Sequence, residues 1–214
     1  PNTTPPYTAY TSVTRPNSIS SMYNNKIKMH KLILLLISFS TICLSSCKNN
    51  NQKSDAVKII KEWTGKEIKF PRGLSCTSLG IDTACIDLYN GNYKIVLYVD
   101  SLGCSSCRLK LSEWKKIMTE ADSAFSQKPE FVFFFQPKKK DEKELQFIFK
   151  QYGFRHPVFI DKTNEIGKLN NFPSKSEYQC FLLDKDNKVL IIGNPSYNPG
   201  IWTLYKRIIN ERET

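Results

Sequence analysis

The chain has 214 residues, of which 31 are lysine or arginine and 20 are aspartate or glutamate, so its formal net charge at pH 7 is +11. A positive surplus of this size is compatible with nucleic-acid binding. However, the lysines are scattered, and the run at 138–140 is followed directly by Asp141 and Glu142. We therefore expect no nucleic-acid partner and interpret the lysines as a solvated surface near an anionic membrane.

The first part of the chain has the composition of a leader and a signal segment. Residues 1–28 are rich in polar residues, lack acidic ones and show no periodicity. We interpret them as an over-extended start of the reading frame or a disordered leader. Met29-His30-Lys31 then precedes a 13-residue apolar run that ends at Leu44. As a helix this run would span about 20 Å, too short for the roughly 30 Å membrane core. It predicts a secretory signal segment.

The four residues Leu44-Ser45-Ser46-Cys47 resemble a bacterial lipobox, in which cleavage before the cysteine exposes a thiol for lipidation. This predicts a signal peptide over 29–46, a lipidated Cys47, and a tether with a short helix over 47–64. The alternative is an ordinary signal peptide that ends near a cysteine. Four basic and no acidic residues precede Cys47, so the remaining charge is about +7. We expect a lipid-anchored protein of the cell envelope, on the periplasmic or outer-membrane face.

The remaining 168 residues suit one domain with a sizeable core. Apolar spacing predicts a helix over 55–63, and alternation predicts a strand over 67–70. Short strands are predicted around Cys76 and over 85–88. The turn Asn90-Gly91-Asn92 is typical of a hairpin and precedes KIVLYV at 94–99, which has the composition of a buried strand.

Beyond residue 107, strands and helices alternate. Three- and four-residue spacing predicts helices over 111–125, 145–152 and 202–209 and a helical turn over 165–169. Buried strands are predicted over 131–135 (FVFFF) and 157–160, and an antiparallel hairpin from 178–183 and 188–192. This order predicts an α/β fold over 65–214, with a partly parallel sheet covered by helices on both faces.

The motif Cys104-Ser105-Ser106-Cys107 lies between the predicted strand 94–99 and the first long helix. A cysteine at a helix start is favoured as a thiolate, which lowers its pKa from about 8.5. A second cysteine one turn later can attack a mixed disulfide and release the partner. Two alternatives stay open. A zinc site is disfavoured, because His156 is the one histidine after Cys47 and no second CxxC exists. A structural disulfide is compatible with an oxidising compartment.

These motifs together resemble a thioredoxin-like domain. The similarity is greatest to TlpA-like and redoxin-like lipoproteins of the Bacteroidetes type, and it covers residues 65–212. It rests on the run from KIVLYV through CSSC into the helix, the strand FVFFF, the hairpin and the final helix. The resemblance implies a mixed central sheet with helices on both faces, an attacking Cys104 and a resolving Cys107. It implies no bound cofactor. The implied partners are exported protein thiols or disulfides, with electrons from a membrane protein or another thioredoxin-like protein.

Four features depart from this family's pattern. Gly103 replaces the usual aromatic residue before the first cysteine, and the dipeptide Ser105-Ser106 between the cysteines has no proline. Tyr98 stands where a buried acid is common, and Tyr178 stands where a cis-proline precedes the hairpin strand. Asp100 lies close to the motif. It could assist proton transfer, or it could be a solvated loop acid.

The remaining cysteines have other predicted roles. Cys76 and Cys85 are nine positions apart, and a disulfide between them would stabilise the fold by about 2–3 kcal/mol. Alternatively, they could exchange with Cys104 as a relay. Cys180 falls in a predicted core strand and is interpreted as a packing residue. His156 is interpreted as a loop or packing residue, and we expect no metal site.

Thiol–disulfide exchange on exported proteins is therefore the predicted function. The alternative is a non-catalytic, lipid-anchored binding module that uses a thioredoxin fold and a structural disulfide. A peroxide-reducing thiol enzyme is a third class, but its Pro-x-x-x-Thr/Ser-x-x-Cys pattern is absent.

Overall fold

The computed structural model describes residues 29–32, 53–84, 89–101 and 109–213. By its contacts the chain divides into two compact units, 1–54 and 55–214. In the first unit residues 29–32 are helical and exposed. The predicted lipidation site Cys47 and most of the predicted signal segment lie outside the described residues. Within the described ranges, no helix is long and apolar enough to cross a membrane.

The second unit is built on a seven-stranded mixed sheet in the order β2-β1-β5-β4-β3-β6-β7. Strands β3, β4 and β5 are parallel, whereas β6 runs antiparallel to both β3 and β7. The strands are β1 (Ser75–Ser78), β2 (Ile81–Thr83), β3 (Lys94–Val99), β4 (Glu130–Phe135), β5 (Val158–Ile160), β6 (Cys180–Leu183) and β7 (Val189–Ile192).

Within the described ranges, the sheet is accompanied by the helices α1 (53–63), α2 (Leu111–Ala124), α3 (Glu142–Gln151), α4 (Glu165–Asn170) and α5 (Pro199–Glu213). In chain order the central part is therefore β3-α2-β4, followed after an inserted α3-β5-α4 by the β6-β7 hairpin and α5. Its four strands lie in the order β4-β3-β6-β7. This is the arrangement of a thioredoxin-like fold, and the predicted fold class is confirmed.

The two faces of the sheet carry separate cores because side chains alternate along each strand. On one face, Ile95 and Leu97 pack with the buried sides of α2, α3 and α5. On the other, Val96 packs with Trp63 of α1 and Ile166 of α4. All three tryptophans after Cys47, at positions 63, 114 and 202, are buried, as their helical spacing indicated.

Three local predictions differ from the structure. The turn at Asn90-Gly91-Asn92 precedes β3 but forms no hairpin, because the neighbours of β3 in the sheet are β4 and β6. Residues 67–70 form no strand; Glu67 makes a single isolated bridge to Lys188. The hairpin strand β6 begins at Cys180, since 176–178 form a 3-10 turn.

Candidate functional site

The carboxyl ends of β3, β4 and β5 meet at one edge of the sheet. Val99 is opposite Phe135 in the parallel β3–β4 pair, and Phe135 is opposite Ile160 in the β4–β5 pair. A polar residue follows each of these strands directly: Asp100, Gln136 and Asp161. Ligands of open α/β sheets bind beyond the carboxyl ends of the strands. We therefore call this edge, with the segments that leave it, the carboxyl edge and regard it as the candidate site.

The predicted redox pair belongs to the connection between β3 and α2. Cys104 and Cys107 themselves lie outside the described residues, but both flanks of the motif are described. The buried strand β3 ends at Val99, and Leu109, 1% exposed, packs in the core just before α2. The strand and helix that the motif was predicted to join are thus present. The position of the two sulfurs stays a prediction.

Lys110 gives this connection a strained backbone. It has φ 50° and ψ 36°, the left-handed conformation, and it directly precedes Leu111, where α2 begins. For a residue with a Cβ this conformation costs about 1 kcal/mol. Its ammonium lies 5.9 Å from the centre of the Tyr197 ring. Helical geometry is therefore interrupted between Leu109 and α2.

Tyr98, which stands where the sequence resemblance places a buried acid, is hydrogen-bonded. Its side chain is buried, and its hydroxyl lies 2.8 Å from Gln136 Oε1 and 2.8 Å from Asn164 Oδ1. A hydroxyl has one proton, so it donates to one oxygen, and the other contact depends on the amide orientation. The position thus holds a neutral hydroxyl bonded to the segments that follow β4 and β5.

Asp100, the predicted proton-transfer residue, is half-buried and bonded to Gln179. Gln179 Nε2 donates to Asp100 Oδ2 at 3.3 Å and to the Pro173 carbonyl at 2.9 Å. The contact connects the end of β3 with the segment that precedes β6. Asp100 is therefore a partly enclosed, hydrogen-bonded carboxylate rather than a freely solvated loop acid.

A small cavity borders this contact. Its volume is about 20 Å³, enough for a single water molecule. Its walls comprise Leu97, Tyr98, Val99, Leu109, Trp114, Ser176, Gln179, Asn194 and Tyr197. Gln179 thus lies beside a small, partly open space under the start of α2.

Two other residues considered from the sequence, Cys180 and His156, are packing residues in the structure. Cys180 is fully buried, and burial raises the pKa of its thiol to about 12. It is a core residue, as predicted. His156 packs against phenylalanine rings and its Nε2 lies 2.7 Å from the Phe131 carbonyl. Burial lowers the pKa of His156, and the Phe131 contact partly opposes this.

Cys76, on β1, is disulfide-bonded. Its predicted partner Cys85 lies outside the described residues, so the pairing itself stays a prediction, as does the relay with Cys104. Within the described ranges, no group of three or more His, Cys, Asp or Glu side chains is arranged to hold a metal ion.

Gln136, Asn164 and Gln179 were not singled out from the sequence. A signal exists for two of them: Gln136 directly follows β4 and Gln179 directly precedes β6, whereas Asn164 lies four residues beyond β5. Gln179 was included in the predicted strand 178–183, so it did not stand out as a residue that flanks a strand. A search for polar residues that flank buried strands would find Gln136 and Gln179 but not Asn164.

Comparisons with known proteins bear on the fold. No protein-family model matches the chain, and no curated protein does. Among solved structures, the thioredoxin domain of a thiol-disulfide oxidoreductase from Bacteroides vulgatus is similar, with 12% identity over 68% of this chain and 97% of that one (TM-score 0.47). A putative electron transfer protein from Aquifex aeolicus matches with 14% identity over 68% and 97% (TM-score 0.48). A peroxidoxin from Mycobacterium tuberculosis matches with 12% identity over 68% and 97% (TM-score 0.48).

Proposed function

We propose that this protein is a thiol–disulfide oxidoreductase that acts on exported proteins through Cys104 and Cys107. The observation that supports it most is the position of the two elements that flank the CxxC motif in the sequence. The buried strand β3 ends at the carboxyl edge of a thioredoxin-like sheet, and α2 begins at Leu111. The thioredoxin-fold proteins to which the chain is similar include a thiol-disulfide oxidoreductase.

The proposed reaction has two steps. The Cys104 thiolate attacks one sulfur of a substrate disulfide; a mixed disulfide forms, and the other substrate sulfur leaves as a thiolate. Cys107 then attacks the Cys104 sulfur, which releases the second substrate sulfur and forms the Cys104–Cys107 disulfide. Two electrons pass to the substrate. A thiol reductant, from a membrane protein or another thioredoxin-like protein, restores the pair, and Asp100 accepts the proton that Cys107 loses.

The proposal includes the cellular location. Lipidation of Cys47 after removal of 29–46 would anchor the domain to a membrane of the cell envelope, where exported substrates occur. Mass spectrometry of the protein purified from membranes tests this part separately. An acylated amino terminus at Cys47 supports it, whereas a chain that begins elsewhere and remains in the soluble fraction contradicts it.

The central experiment measures insulin disulfide reduction by the full chain and by C104S, C107S and C180A. Cys180 is the matched control, because its buried thiol has a raised pKa and should not react. We expect at least a hundredfold loss in C104S, a trapped mixed disulfide in C107S, and less than a twofold change in C180A.

Two outcomes would favour the other function classes. A wild-type chain without turnover, whose Cys104–Cys107 disulfide resists mild reductant, would indicate a binding module with a structural disulfide. Peroxide consumption that depends on Cys104 and exceeds disulfide turnover would indicate a peroxide-reducing enzyme; a peroxidoxin is among the similar structures.

A further inference from the structure

We propose that one side of α1 docks on the surface of the anionic bilayer to which Cys47 anchors the chain. This side, the outward stripe, consists of Val57, Ile60, Lys61 and Thr64, the residue that follows the helix. The contact goes beyond thiol–disulfide exchange, because it gives the anchored domain a second attachment and a fixed orientation. It rests on the proposed lipidation of Cys47 and is independent of the redox pair.

The outward stripe exposes two aliphatic side chains on the same side of the helix. Val57 is 51% and Ile60 44% exposed. Lys61 and Thr64, both exposed, follow Val57 at the i+4 and i+7 positions, so the four residues form one stripe. Single exposed aliphatic residues are common on protein surfaces, whereas two within one turn can make a shared apolar contact. The stripe therefore combines apolar side chains with an ammonium group, as helices that lie at a bilayer surface do.

The other sides of α1 face the rest of the domain. Trp63 is 2% exposed and packs against the rings of Phe172 and Phe181, whose centres lie 5.7 and 5.2 Å from its own. Both acidic residues of α1, Asp55 and Glu62, border an open cavity of about 350 Å³ next to Trp63. The outward stripe consequently carries one positive charge and no negative charge, which favours contact with anionic lipid head groups.

The stripe has a fixed direction because the end of α1 is bonded to the sheet. The N–H and the hydroxyl of Thr64 both donate to the Ile60 carbonyl, at 2.9 and 2.8 Å. Gly65, with φ 80°, ends the helical path, and its N–H donates to the Val189 carbonyl of β7 at 2.8 Å. A contact made through the outward stripe would therefore orient the whole sheet relative to the bilayer.

The length of chain between the anchor and α1 favours the bilayer as the partner. The residues 48–54 separate Cys47 from Asp55. The eight steps between these two residues span about 29 Å at most, in any conformation. The compact unit 55–214 has a size for which a width of about 40 Å is typical. Once Cys47 is lipidated, α1 is thus held closer to the bilayer than the domain is wide.

Charge distinguishes the bilayer from a second copy of the chain as the partner. The formal charge after Cys47 is about +7. An anionic bilayer attracts such a chain, whereas two copies that meet repel each other. Lys61 would add to this repulsion in a two-fold contact between stripes, because each copy contributes its ammonium group. The outward stripe therefore fits a negatively charged, amphipathic surface.

The test measures which part of the anchored protein touches lipid. The lipidated protein, purified from membranes, is placed in vesicles of phosphatidylethanolamine and phosphatidylglycerol whose acyl chains carry nitroxide groups. These groups quench tryptophan fluorescence on close approach. Ile60→Trp places a reporter on the outward stripe, and Phe147→Trp places one on α3, across the sheet, where Phe147 is 64% exposed. The native tryptophans at 63, 114 and 202 are buried, and their signal in the wild type is subtracted.

We expect lipid quenching of Ile60→Trp to exceed that of Phe147→Trp about threefold, because the stripe reaches the head-group region. Adding Lys61→Glu to Ile60→Trp should lower its quenching about twofold, since phosphatidylglycerol repels the new carboxylate. Lys143→Glu, at an exposed position on α3, is the matched control, because it changes the net charge equally and should leave the quenching unchanged. In vesicles of phosphatidylcholine alone, the quenching of Ile60→Trp should also fall about twofold.

Two results would overturn the docking contact. Equal quenching of the two reporters would show that the stripe touches lipid no more than α3 does. Equal losses in Lys61→Glu and Lys143→Glu would show that net charge, and not the stripe, attracts the domain. Circular dichroism and thermal unfolding establish that each variant is folded, and all the substituted positions are exposed.

Failure of the proposed function would look different. A chain that mass spectrometry shows to lack an acyl group at Cys47 would refute the anchor and the docking contact together. An acylated chain with equal quenching of the two reporters would refute the docking contact alone. An acylated chain with the expected quenching of Ile60→Trp, but without insulin reduction, would refute the redox function and support the docking contact.

Discussion

The two edges of the sheet bind their buried polar side chains in different ways. At the amino edge, where the parallel strands begin, the fully buried Lys94 ammonium donates to the carbonyls of Gly91, Asp184 and Lys185. His156 likewise contacts a backbone carbonyl there. At the carboxyl edge, Asp161 and Gln179 also bond backbone groups. In addition, side chains there bond one another: Asp100 with Gln179, and Tyr98 with the amides that follow β4 and β5.

We infer from this difference that the amino edge mainly stabilises the fold and the carboxyl edge mainly supports the reaction. Backbone carbonyls are held in place by the fold, so a side chain that bonds them contributes to stability and is not free to react. Bonds between side chains make up only about 10–15% of protein hydrogen bonds, and both partners can reorient. We therefore expect substitutions at the amino edge to lower the free energy of unfolding, and substitutions at the carboxyl edge to alter activity more than stability.

The largest expected effect on stability is that of Lys94→Met. The Nζ atom lies 2.9, 3.0 and 3.2 Å from its three carbonyl oxygens. Methionine fills similar space but leaves these oxygens without their donor, so the free energy of unfolding should fall by about 3 kcal/mol. Urea unfolding of the wild type and the variant measures this loss of stability. Disulfide turnover per folded molecule should stay within twofold of the wild type.

A surface lysine provides the matched control for this substitution. Lys116 pairs with Glu113, and its side chain is 72% exposed. Lys116→Met should change the free energy of unfolding by less than about 0.5 kcal/mol. Similar losses in the two variants, or a loss of specific activity in Lys94→Met, would contradict the division between the edges.

A smaller effect concerns pH and His156. Burial, its main cause, holds the pKa of this imidazole below its usual value of about 6.5. The folded state therefore binds this proton less readily than the unfolded chain. The resulting stability is complete above about pH 6.5 and is lost as the pH falls from there toward the folded-state pKa.

His156→Gln should consequently flatten the acid side of the stability profile. Between pH 7.5 and 5 the wild type should lose about 1 kcal/mol more than the variant, measured by urea unfolding at each pH. Lys116→Met, at an exposed position, is the control and should keep the wild-type slope. If the free energy of unfolding of His156→Gln fell with pH as steeply as that of the wild type, the pH dependence would belong to other groups.

An effect of about the same size is expected at Lys110, where two substitutions test whether the backbone strain at the carboxyl edge is local. Glycine adopts the left-handed conformation without steric cost, whereas alanine does not. Lys110→Gly should therefore unfold with a free energy about 1 kcal/mol higher than Lys110→Ala, as measured by chemical denaturation. Equal stability of the two variants would show that the strain is relieved elsewhere.

Local pattern was sufficient for most of the helices and strands, the strand predicted at 67–70 excepted, but it did not identify which strands pair. Hydrophobic composition located β3 and β4, because a strand buried on both faces is a continuous run of apolar residues. The spacing of apolar residues located α2, because a helix buried on one side repeats them every three or four positions. The prediction of a hairpin at 90–92 was wrong, since the residues of a turn do not specify which strand lies next in the sheet. It precedes β3, whose partners lie far along the chain.

The candidate site was predictable only in part for the same reason. The CxxC motif and Asp100 stand out because their chemistry is evident over a few residues. Gln179 contacts Asp100 across 79 positions of sequence. No local periodicity encodes such a contact; it exists because β6 pairs with β3 and brings the end of one beside the start of the other.

The burial of Cys180 has a consequence for the lifetime of the protein. In the native fold its sulfur is inaccessible and cannot interfere with the other six cysteines. Once the domain opens, that thiol becomes free to form incorrect disulfides, and an oxidising compartment would make the opening irreversible. The half-life there would then depend on the rate of unfolding rather than on its equilibrium constant, so that persistence is kinetic in origin.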